Sequence, residues 1–173
     1  MTGGSLANVN FLIVDDSPHI RRLVTTMLRG MGAQHLHEAK DSTKALDLLE
    51  RVPVDVALVD WMLDDGTGRT GMDVVWHLRR SPIEQQAFLP VIMMSGHTER
   101  QNIELARDTG VTEFLAKPFT ARSLFQRLQT LVESPRPFVK TRSYFGPDRR
   151  RRSEGPGEDG ERRFVNPRRG TET

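Results

Sequence analysis

The sequence predicts an α/β fold: a five-stranded parallel sheet with helices on both faces. Two observations carry this. Short, nearly unbroken apolar runs alternate with segments whose apolar residues recur at helical spacing, as expected of strands buried on both faces and joined by crossover helices. The runs also end on polar residues. Phe11-Leu12-Ile13-Val14 leads to Asp15-Asp16, and Val56-Ala57-Leu58-Val59 to Asp60. Val91-Ile92-Met93-Met94 leads to Ser95, and Glu113-Phe114-Leu115-Ala116 to Lys117-Pro118. In an open parallel sheet the C-terminal strand ends share one edge, where ligands bind.

Val9 to Val14 is the first strand. Ser17 is a natural N-cap and Pro18 suits the first turn of a helix carrying Ile20, Leu23, Val24, Met27 and Leu28, which Gly30 and Gly32 end. A weak second strand lies near His35 to Glu38. Ser42 caps a second helix with Ala45, Leu46, Leu48 and Leu49 inward. Val54 to Val59 is the third strand, followed by a glycine-rich loop from Asp64 to Gly71 and a third helix on Met72, Val74, Val75 and Leu78. Leu89 to Met94 is the fourth strand. A fourth helix opens at Thr98 and closes at Gly110, Val111 to Ala116 is a short fifth strand, and Thr120 caps a fifth helix carrying Leu124, Phe125, Leu128 and Leu131. With right-handed crossovers, the flavodoxin-like strand order 2-1-3-4-5 places the first and third strands side by side at the switch point. That brings Asp15, Asp16 and Asp60 together.

The 173 residues suffice for one domain plus an appendage. There is no run of about 18 apolar residues to span a membrane, and residues 1–5 have no signal-type pattern. The absence of cysteine excludes disulfides and thiolate-bound metals and agrees with a cytoplasmic location. The net charge of +2 hides an asymmetry: from Ser134 onward there are 11 basic and 6 acidic residues, so the preceding body is mildly acidic. Residues 1–8 are expected to be a flexible N-terminus, 9–133 the folded domain, and 134–173 a basic Pro/Arg/Gly-rich tail with too little apolar surface to order itself. Tyr144-Phe145-Gly146-Pro147-Asp148-Arg149-Arg150 is echoed by Phe164-Val165-Asn166-Pro167-Arg168-Arg169. A repeated linear motif and chance repetition both account for the echo.

Taken together, Asp15-Asp16, Asp60, Ser95-Gly96 and Lys117-Pro118-Phe119 make residues 8 to 133 resemble the receiver (phosphoacceptor) domain of bacterial response regulators. The single-domain chemotaxis regulator is the simplest member. Each motif alone has an ordinary reading: a strand-end Asp as a turn residue, a Lys as a solvated group, Phe114 as core. Their order within five β–α units is what is specific. The resemblance implies that Asp60 accepts a phosphoryl group, as carboxylates can. It implies that Asp16 and Asp60 ligate Mg²⁺ directly, that the Met62 backbone carbonyl contributes, and that Asp15 acts partly through water, a hard-oxygen set that suits Mg²⁺. Lys117 would pair with Asp60 at rest and with the phosphoryl group afterwards, and the Lys117-Pro118 peptide would be cis. Ser95 and Phe114 would be the switch residues, while His97 and Met62 occupy positions that shape water access or are simply surface.

Two departures from the family pattern stand out. Asp64 occupies a position usually held by Pro, and Gly71 falls later than the helix-opening glycine. The loop is therefore longer and carries Asp64 and Asp65, which either add outer-shell Mg²⁺ contacts or, the preferred reading, are solvated. Trp61, beside Asp60, should report ligand binding by fluorescence.

The function implied is that of a switch, not a turnover enzyme, with a sensor histidine kinase or histidine phosphotransfer protein as donor and a protein as downstream target. One alternative assigns the output to nucleic acid bound by the tail through Arg149-Arg150-Arg151-Arg152 with Tyr144, Phe145 and Phe164. In others the tail docks a partner or lies back on the acidic body, or the chain is a phosphorylation-independent binding module. A haloacid-dehalogenase-type phosphatase is disfavoured because Met62 stands where its second Asp belongs. A flavodoxin is disfavoured because no phosphate-cradling loop follows the first strand.

Overall fold

The structure is a computed structural model, and it describes residues 6–63, 66, 68–96, 100–141, 144–148 and 162–164. A 3-10 turn at Leu6–Asn8 leads into β1 (Asn10–Val14), α1 (Pro18–Gly30), β2 (His35–Ala39), α2 (Ser42–Arg51) and β3 (Val56–Asp60). Next come α3 (Gly71–Arg80), a single helical turn α4 (Glu84–Ala87), β4 (Val91–Ser95), α5 (Arg100–Thr109), β5 (Glu113–Ala116) and α6 (Ala121–Glu133). The first five strands form one parallel sheet in the order β2-β1-β3-β4-β5. This is the flavodoxin-like order that the sequence predicts.

Side-chain alternation along each strand divides the core. Phe11, Ile13, Leu58, Ile92, Met94 and Leu115 face one way and pack with Val24 and Leu28 of α1 and Leu124 and Leu128 of α6. Leu12, Val14, Ala57, Val59, Val91 and Met93 face the other way and pack with Ala45, Leu49, Val74, Val75, Leu78 and Ala106 from α2, α3 and α5. A central strand buried on both faces must be apolar at every position, which is why these runs lack the polar alternation of a surface strand.

Several local expectations change. Asp60 and Ser95 are the last residues of their strands rather than the first residues beyond them. Asp41, not Ser42, caps α2, because its carboxylate accepts from the Lys44 N–H at 2.7 Å and a carboxylate is a good partner for the orphan amides there. Phe125 is 49% exposed. The α4 turn carries no sequence signal, since four residues are too short to show a helical period. Thr98 lies outside the described residues.

The C-terminal region differs most from expectation. Phe138–Lys140 (β6), Phe145–Pro147 (β7) and Arg162–Phe164 (β8) form an antiparallel sheet in the order β7-β6-β8. Unordered chain therefore does not describe these strands; Gly155 to Gly160 and the Arg149–Arg152 block lie outside the described residues. The tail recruits apolar surface from the body. Phe138 stacks at 4.8 Å and Phe145 edge-on at 5.1 Å from Phe88, just ahead of β4. Beneath them Arg79 of α3 is buried, donating from Nε to the Gly110 carbonyl (2.9 Å) and from Nη1 to the Ala87 carbonyl (2.8 Å). The Phe138 ring lies 5.0 Å from its guanidinium carbon, and burial pulls the Arg79 guanidinium down to about 10. Phe138 and Phe145 thus pack against the body. Aromatic packing contributes to that contact, as does an ion pair, Arg136 to Glu113, at 3.7 Å.

Candidate functional site

Adjacent placement of β1 and β3 brings the strand-end acids together. One oxygen from each of Asp15, Asp16 and Asp60 lies within 4.8 Å of the others. Asp15 and Asp60 are buried and Asp16 is exposed, so the cluster opens outward through Asp16. Asp15 is held on both oxygens. Oδ1 accepts from the Ser17 N–H at 2.9 Å, and Oδ2 accepts from Lys117 Nζ at 2.8 Å. Ser17 in turn caps α1, its hydroxyl accepting from the Ile20 N–H.

Lys117 reaches the cluster from the end of β5 and lies 2.9 Å from Asp60 Oδ1, so one ammonium bridges two buried carboxylates. The Lys117-Pro118 peptide is cis. Its backbone is tied to β4, the Lys117 N–H donating to the Ser95 carbonyl at 2.8 Å. Ser95 is buried beside the cluster on the neighbouring strand, opposite Ala116.

The electrostatics follow from this geometry. Burial pushes the Asp60 carboxyl up to about 6, against the hydrogen bond and charge of Lys117, with Asp15 and Asp16 adding to the rise. Burial alone would lower Lys117, but hydrogen bonds and charge from Asp15 and Asp60 outweigh it, and the net shift is upward. The site therefore holds more negative charge than one ammonium compensates. All three acids offer hard oxygen donors, and the vicinity of Asp16 is open to solvent. This donor set fits a Mg²⁺-type ion that keeps part of its water.

The third β–α connection is shaped by Gly71. Its N–H donates to the Trp61 carbonyl at 2.9 Å, and a Cβ at this position would run into the Asp60 carbonyl oxygen and Val59 Cγ1. The start of α3 therefore lies against the backbone of the acid itself, and only glycine permits that approach. Trp61 is buried against the core, whereas Met62 is 54% exposed. Phe114 is half-buried, on the α2–α3–α5 side of the sheet. His97, Asp64 and Asp65 lie outside the described residues.

One contributor is not apparent from the sequence. Arg21 of α1 donates from Nη1 to the carbonyls of Asp15 (2.7 Å) and Asp16 (3.1 Å), and its Nε pairs with Glu38 of β2 at 3.3 Å. It anchors the backbone that carries the acid pair. A helical Arg one turn past a cap carries no sequence signal of that role.

Residues 11–129 match the response regulator receiver domain family. This chain belongs to the response regulator receiver family. The receiver is 34% identical over 126 residues to chemotaxis protein CheY-3 of Vibrio cholerae, covering 73% of this chain and 93% of that one. It is also 34% identical over 125 residues to chemotaxis protein CheY of Pseudomonas aeruginosa, covering 72% and 97%. Among solved structures, Vibrio cholerae chemotaxis protein CheY4 superposes with a TM-score of 0.64 at 28% identity, covering 72% of this chain and 98% of that one. The receiver domain of the Francisella response regulator 1452 gives 0.62 at 27%, covering 72% and 96%. The receiver assignment places the chain in two-component signalling. No helix among the described residues is long and apolar enough to cross a membrane.

Proposed function

We propose that this receiver is a phosphorylation switch in which Asp60 accepts a phosphoryl group from the phosphohistidine of a sensor kinase or phosphotransfer protein. The observation that carries the reading is the Lys117 ammonium held between buried Asp15 and Asp60. A carboxylate Oδ of Asp60 attacks phosphorus in line, the P–N bond breaks with its electron pair going to the donor imidazole, and an acyl phosphate forms while the imidazole, already protonated on its other nitrogen, leaves neutral. Lys117 follows the charge from the carboxylate to the phosphoryl oxygens. Asp15, Asp16, Asp60 and the Met62 carbonyl would hold Mg²⁺, which when bound neutralises the clustered carboxylates and the incoming phosphoryl oxygens. Arg21 holds the Asp15–Asp16 backbone in place throughout. The Ser95 hydroxyl then bonds a phosphoryl oxygen, and Phe114 follows the shift, so that α5, β5 and α6 present an altered surface to a protein target. The receiver assists its own phosphorylation and hydrolysis but turns over no separate substrate.

Intact-protein mass after incubation with acetyl phosphate and Mg²⁺ tests this. One added phosphoryl group is expected in the wild type, and none in Asp60→Asn or with EDTA. An adduct that persists in Asp60→Asn would sink the assignment.

A further inference from the structure

At the sheet end opposite the acid cluster, the tail and the body enclose a cleft of about 290 Å³. Its walls include Trp76, Arg79 and Arg80 of α3, Asp108 and Thr109 at the end of α5, and Lys140 of β6. Arg79 is the buried floor. Two of its nitrogens are spent on the Gly110 and Ala87 carbonyls, while Nη2 is buried with no hydrogen-bond partner. Among the described residues no carboxylate pairs with it. A buried donor without an acceptor is unfavourable, the more so on a charged group.

The surroundings add positive charge. Arg80 lies 4.0 Å over the Trp76 ring. Lys140 of β6 adds a third cation to the cleft lining. Among the described lining residues the carboxylate set against these cations is Asp108. The C-terminal ends of α3 and α5 also disfavour an anion, but Arg79 already caps the Gly110 carbonyl that follows α5. Two features thus meet at one cleft: a buried lining guanidinium with a nitrogen that lacks an acceptor, and two further cations, Arg80 and Lys140, around space open to solvent.

We propose that this cleft binds a small, multiply charged, phosphoryl-bearing anion through Arg79, Arg80 and Lys140. Guanidinium groups present forked donors to phosphoryl oxygens and the lysine adds a point charge. Because one wall is the tail and the other the body, the bound anion bridges them and holds the tail in place.

The test is a titration of the full ¹⁵N-labelled chain with inorganic pyrophosphate in metal-free buffer, read by amide and indole N–H shifts. The expected result is saturable shifts at the Trp76 indole and at the Thr109, Lys140 and Thr141 amides. Arg80→Gln and Lys140→Gln should each weaken binding about threefold to fivefold, the effect of one partly exposed charge pair. Both are surface changes, and an unchanged thermal melt confirms folding. Three results overturn the proposal: shifts confined to the Asp16, Ser95 and Lys117 edge, shifts that stay linear to about 10 mM, or equal affinity in wild type and both variants.

Discussion

Burial makes the charged form of Asp60 costly. The folded protein keeps its proton to a higher pH than the unfolded chain does, about 6 against an ordinary value of 3.8. Between those values the folded state binds more protons, so stability falls as pH rises through the window. In metal-free buffer the wild type should lose about 2 kcal/mol relative to Asp60→Asn on going from pH about 4 to about 6. Urea denaturation at each pH measures the difference, and added Mg²⁺ should narrow it. Lys117 is the counterweight. Lys117→Ala leaves Asp15 and Asp60 facing each other with no cation, and phosphorylation by acetyl phosphate should slow about a hundredfold, comparable to losing one preorganised donor at a site of developing charge. A time course of intact mass reads that rate.

Among the elements, α3 starts directly against the backbone of the acid. Its first residue, Gly71, touches the Asp60 backbone, so Gly71→Ala must push either the helix or the strand end away. A cost of about 1–3 kcal/mol in denaturant unfolding is expected, together with slower phosphorylation, because the acid moves relative to Lys117. The same helix ends at Arg79 and Arg80 beneath the tail. One element therefore runs from the acid cluster to the C-terminal sheet.

For the whole molecule, the C-terminal strands extend the core. Phe138 is nearly fully buried against Phe88 and over Arg79. Phe138→Ala should destabilise the full chain by about 3 kcal/mol, whereas a change on an unordered tail would cost nothing. Thermal or urea unfolding distinguishes the two outcomes. Arg79→Ala should cost at least as much, since it strips the buried Gly110 and Ala87 carbonyls of their donor.

The parallel sheet, its strand order, and the meeting of Asp15, Asp16, Asp60, Ser95 and Lys117 at one edge were legible in the chain. Strand burial on both faces writes itself as unbroken apolar runs, and topology then collects the strand ends. Three features were decided by tertiary structure alone. Lys117 divides its ammonium between Asp15 and Asp60 because the two carboxylates are near neighbours only once β1 and β3 pair. Arg21 and Gly71 acquire their roles from backbone atoms of residues brought beside them by folding. The tail strands form because Phe138 and Phe145 find Phe88 and Arg79 on a surface built from distant segments. Composition measures the apolar area a segment carries; it does not record the area its neighbours offer.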